Sequence, residues 1–99
     1  MFEDVTQHIG VLSVSLHFPA PQSLKEKRVI LRGLRDRIRA KFNVSIAELD
    51  GHNKWQVALA GFVMIGNDTA YIDSCLQNIL SHIEQCGNIQ LCDHRMEFR

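Results

Sequence analysis

Residues 8–18, "HIGVLSVSLHF", alternate Leu12, Val14, Leu16 and Phe18 with Ser13, Ser15 and His17. That period of two belongs to a strand with one buried face. "PAPQ" at 19–22 ends it, because proline donates nothing to a ladder and biases its predecessor against helix. Ser23 and Glu26 then form an S-x-x-E capping box, the hydroxyl accepting from the first turn and the carboxylate reaching back. The spacing predicts a helix from Leu24 to Lys41 with Leu24, Leu31, Leu34, Ile38 and Phe42 as its apolar stripe and Ile30 at the margin.

"NVSIAELD" (43–50) and "KWQVALAGFVMI" (54–65) are rich in strand formers and flank "DGHN", whose Asp-Gly favours a tight hairpin. The second segment is apolar on both faces, as a central strand is. Ala58, Ala60, Phe62 and Met64 are the better helix-facing set, since small alanines let helices approach. Asn67 or Asp68 caps a second helix carrying Ile72, Cys75, Leu76, Ile79 and Ile83 on one face, and Gly87 is expected to end it in the left-handed conformation. "NIQLCDHRMEF" (88–98) closes as a strand.

The order β-α-β-β-α-β is the split βαβ pattern of a ferredoxin-like α+β sandwich. Right-handed crossovers place the first and third strands centrally in a four-stranded antiparallel sheet, with both helices on one face. Ninety-nine residues suffice for one such domain, 1–99, with a single core. An apolar content of 45% and a charged content of 22% are those of an ordinary globular chain, and no apolar run approaches the roughly 20 residues of a membrane span. The acidic start "MFEDVTQHIG" lacks the layout of a secretory signal, and three cysteines without a CxxC pair fit reduced thiols, so a cytoplasmic location is expected.

Charge changes this picture more than composition does. The chain is formally neutral, yet residues 1–22 carry −2, residues 23–42 carry +6 and residues 43–99 carry −4. Eight of the eleven lysines and arginines sit on the first helix. Lys25, Arg28, Arg32, Arg35 and Arg39 recur at spacings of three and four and form one stripe; Arg37 and Lys41 lie on the opposite flank. Like charges so placed each cost an isolated helix about 0.2–0.5 kcal/mol, and Lys25, Lys27 and Arg28 also oppose the macrodipole in the first turns. A local rule broken repeatedly on one face marks a functional surface.

"SLKEKR" at 23–28, "FNVSIAE" at 42–48 and the Trp55 hairpin resemble the YlxP-like family, small bacterial proteins grouped as a domain of unknown function. The likeness runs from Ile9 to Phe98. It implies the same ferredoxin-like sandwich and carries over no catalytic residue. Members of that family are often encoded beside translation-initiation and ribosome-maturation factors, so the resemblance also implies an association with RNA or the ribosome.

The expected function is that of a non-enzymatic binding protein, with no cofactor. Lys25, Lys27, Arg28, Arg32, Arg35 and Arg39 are its candidate phosphate contacts to RNA, a ribosomal particle or another polyanion. The competing explanation is a merely solvated helix, or arginines paired with Glu48, Asp50 and Glu97. An acidic protein partner fits the same ridge. A small-anion enzyme of acylphosphatase type would need a phosphate-cradling loop after the first strand, where "FPAPQSLKEKR" has no glycine and two prolines. Base readout by the sheet would need paired aromatics on the central strands, which offer Ser13, Ser15 and His17 beside Trp55 or Phe62. Val57, Leu59 and Val63 form an apolar outer sheet face that a second copy is expected to cover. Cys92, His94, His17 and His52 match no zinc spacing, and Cys75 and Cys86 read as small core residues.

Overall fold

In the computed structural model, which describes residues 1–99, alternation along β1 (His8–His17) drives Leu12, Val14 and Leu16 into the core, with Phe18 just beyond. Ser13, Ser15 and His17 face the other way and are only partly covered. α1 (Leu24–Lys41) begins at Ser23, whose hydroxyl accepts from the Glu26 amide at 3.1 Å. The Glu26 carboxylate reaches back to the Gln22 amide at 2.5 Å, one residue before the cap. Leu31, Leu34 and Ile38 are its buried apolar residues. The helix stops at Phe42, which turns extended while its N–H still bonds to Ile38 at 2.9 Å.

β2 (Ser45–Asp50) and β3 (Val57–Gly66) pair antiparallel, and α2 (Thr69–Glu84) and β4 (Gln90–Phe98) complete the chain. The sheet order is β2-β3-β1-β4, with the first and third strands central as the crossovers require. This is the ferredoxin-like α+β fold. Ala58, Ala60, Phe62 and Met64 are the buried positions of β3, so the small-residue choice of face holds. Gly10 shows why closeness matters: a side chain there would overlap Ile72 of α2. No helix is long and apolar enough to cross a membrane.

Asp68 is the cap of α2, its carboxylate accepting from Ala70 at 2.9 Å and Tyr71 at 3.4 Å. Gly87 differs from expectation, since the only left-handed residue in the chain is Gly51, at φ +86°. α2 instead ends by tightening: Cys86 bonds back to Ile83 and Ile89 to Cys86, and the chain enters β4 without a reversal that needs glycine. The β2–β3 connection is also longer than a two-residue turn. It spans residues 51–56, so Trp55 lies in the loop and not on the third strand.

Candidate functional site

On α1, Lys25, Arg28, Arg32 and Arg39 are exposed and Arg35 is half-buried beside Leu31, Ile46 and Glu48. None of these five lies within 4.0 Å of a carboxylate, and Asp36, on the same helix, pairs with none of them. The three acids able to neutralise the ridge are engaged elsewhere. Glu48 pairs with Lys27, Asp50 accepts from the Gly51 amide, and Glu97 pairs with Arg95 and Arg99. Five cations at helical pitch are therefore left without a carboxylate partner, four of them exposed and Arg35 half-buried.

Lys27 does not belong to that ridge. It is 1% exposed, and its ammonium donates to the carbonyls of Gly51 at 2.6 Å and Lys54 at 2.8 Å while pairing with Glu48 Oε2 at 2.8 Å. Two carbonyls and an opposite charge thus compensate the buried ammonium, although Glu48 Oε2, itself buried, meets it as an ion pair without an aligned hydrogen bond. The correction has a geometric cause. Lys27 lies three residues after Leu24 and four before Leu31, hence on the apolar stripe. Glu48 likewise occupies a helix-facing position of β2, registered against Ala60. Sequence reasoning grouped Lys27 with its exposed neighbours by charge; its place in the stripe was the signal that separated it.

On the opposite flank Arg37, still exposed, reaches toward α2. Its Nε donates to His82 Nε2 at 3.4 Å and its Nη2 to Cys86 Sγ at 3.6 Å, while Nη1 lies over Gly33, where a side chain would crowd it. Burial first, then the charges of Lys41 and Arg37, hold the His82 pKa below its ordinary value. Cys75 is buried, Cys86 half-buried and Cys92 exposed. His17 bonds to Gln90 at 2.9 Å, and His94 registers against Val14, so the two histidines stand at different heights of the β1–β4 pair. The concavity at the start of α1 is lined by Pro21, Lys25, Glu26, Val29 and Ile30 and does not include Arg28.

The sheet face away from the helices is the second notable surface. Val57, Leu59 and Val63 are 39–40% exposed and Ile65 62%, in one line along β3. Leu49 of β2 folds over Gly61 in the middle of that line. Ser15 and Ser13 of β1 continue the face, registered against Asp93 and Arg95 of β4. Phe62 is sealed under the helices, so no aromatic pair stands on this face.

These features define a two-layer α+β domain with an unpaired cationic ridge on its helix layer and an uncovered apolar face on its sheet. The chain belongs to the family described as "Protein of unknown function (DUF503)", whose model matches residues 9–96. It is 33% identical over 76 residues to "Uncharacterized protein YlxP" of Bacillus subtilis (strain 168), covering 77% of this chain and 83% of that one. The YlxP-like resemblance of the two motifs and the hairpin is thus borne out. Among solved structures, "De novo designed protein Foldit4" superposes with a TM-score of 0.50 and 13% identity, over 94% of this chain and 93% of the other. That similarity concerns the fold alone.

Proposed function

We propose that this is a non-enzymatic binding protein whose first helix grips the phosphates of RNA, within the ribosome or its precursors, in the cytoplasm. The observation that carries the reading is the row of Lys25, Arg28, Arg32, Arg35 and Arg39 without a carboxylate within 4.0 Å, while Glu48, Asp50 and Glu97 are engaged elsewhere. Guanidinium groups at helical pitch suit a phosphate backbone, and such binding releases counterions and weakens with salt. Replacing Arg28, Arg32 and Arg35 together with glutamine is expected to weaken RNA binding and to lower the slope of log affinity against log salt by roughly 2. Filter binding at several salt concentrations measures both. An unchanged affinity and slope would remove the assignment, and capture of an acidic protein that survives ribonuclease would move the ridge to the alternative partner. Hydrolysis of acyl phosphates, lost in R28Q, would move it to the small-anion enzyme.

A second copy of the chain is the proposed cover for the sheet face. Val57, Leu59, Val63 and Ile65 supply its apolar centre, and Asp93 and Arg95 at one side form a charge pattern that a two-fold axis makes self-complementary. Such a dimer leaves both helix layers outermost and both ridges unobstructed.

A further inference from the structure

We propose that Trp55 is a base-stacking platform, so that the polyanion engaged by the ridge is a single-stranded nucleic acid and not a base-free polyanion or an acidic protein. The inference rests on the RNA reading above and narrows it. Trp55 is the chain's only tryptophan, lies off both sheet faces in the 51–56 loop, and is 51% exposed. A large ring left half open on a loop would ordinarily be mobile; here the backbone on both sides of it is pinned. On one side the buried Lys27 ammonium holds the carbonyls of Gly51 and Lys54, Lys54 N–H bonds back to Gly51 at 3.0 Å, and Gly51 takes the left-handed conformation that the turn requires. On the other side the Gln56 carbonyl accepts from Phe18 at 2.8 Å, and its side-chain amide reaches Pro19 at 3.4 Å.

The pin also sets where the ring stands. Lys27 is next to Arg28 on α1, and the carbonyl it holds belongs to Lys54, next to Trp55. The loop that carries Trp55 is therefore tied to the first turns of α1, where Lys25 and Arg28 stand, with the exposed Lys54 beside it in sequence. A cationic track beside an aromatic ring on a pinned loop meets both halves of a nucleotide chain: phosphates on the guanidinium groups, and a base on the indole. The backbone that carries the ring is held before binding, so stacking on it forfeits little loop entropy. Neither inorganic polyphosphate nor an acidic peptide has a flat base to place there.

The lone tryptophan is its own probe. The wild-type chain is titrated with a 12-mer of oligoriboadenylate, with inorganic polyphosphate of similar charge, and with an RNA duplex whose bases are already stacked. Oligoriboadenylate is expected to quench the tryptophan emission on binding, whereas polyphosphate and duplex bind with little quenching. W55A should weaken oligoriboadenylate binding roughly 5- to 150-fold, the loss of one stacked base, and leave polyphosphate affinity unchanged. W55F should recover part of that loss, with circular dichroism confirming that both variants fold. Equal weakening of both ligands in W55A, or polyphosphate binding unaccompanied by quenching from oligoriboadenylate, would overturn the stacking proposal while leaving the ridge intact. R28Q/R32Q/R35Q binding polyphosphate as tightly as wild type would instead sink the ridge reading. If oligoriboadenylate does not bind while polyphosphate or duplex does, the stacking proposal falls and the ridge stands; if none of the three binds, the ridge reading falls.

Discussion

Lys27 shows how position overrides charge type. A lysine is rarely fully buried, because desolvating its ammonium costs several kcal/mol unless every donor is matched. Here two carbonyls and one carboxylate match it, and the same contacts fix the turn of the 51–56 loop to α1. K27A is expected to cost about 3–5 kcal/mol in urea unfolding, since it strands the half-buried Glu48 carboxylate as well as two carbonyls. K27M should be nearly as harmful despite filling the space. K27M/E48M should recover most of the loss, because no uncompensated charge then remains. If K27A cost less than about 1 kcal/mol, the cluster would be decorative, and so would the rigidity ascribed to Trp55. Both members of the pair were visible in the sequence as polar residues at apolar-phase positions. Their meeting was not visible, because it depends on which turn of α1 lies over which residue of β2.

Among the elements, those with a strong internal period were legible to within a few residues. β1, α1 and α2 follow their alternation, capping box and apolar stripe closely. The hairpin and the end of α2 were less so. Gly51 and Gly87 carry the same intrinsic freedom, and only tertiary contacts decide that the first uses it and the second does not. The contact of α1 with α2 carries its own test. The folded His82 pKa lies below the ordinary 6.5 because of burial and then the nearby Lys41 and Arg37. The unfolded chain therefore binds the extra proton more readily, so the stability His82 contributes is full above pH 6.5 and is lost as pH falls through its folded value. H82Q should flatten the melting temperature between about pH 7 and 5 relative to wild type. R37Q should raise the His82 midpoint followed by proton NMR, and a midpoint that stays put would mean that burial and Lys41 alone set it.

At the scale of the whole molecule, the two apolar faces of β3 meet different surroundings, as its sequence predicts. A strand apolar on both faces is expected at the centre of a covered sheet, yet the helices cover only one side. Val57, Leu59 and Val63 are left partly exposed on the other. L59K/V63K should abolish self-association, seen in sedimentation equilibrium as a single 11.3 kDa species at every concentration, with its secondary structure unchanged. A wild-type chain that already sediments as this species at high micromolar concentration would leave the face without its proposed occupant.

The ridge stands on the helix layer, flanking its apolar stripe, and the bare face lies on the other side of the sheet. Two copies joined back to back would hold their first helices roughly 30 Å apart, three layer spacings of about 10 Å, with one ridge on each outer layer. One short strand could not wrap both ends of such a particle. Its natural work would be to staple two separate segments of a folded transcript, so that its effect would appear as compaction of a long RNA and would vanish for fragments too short to span it.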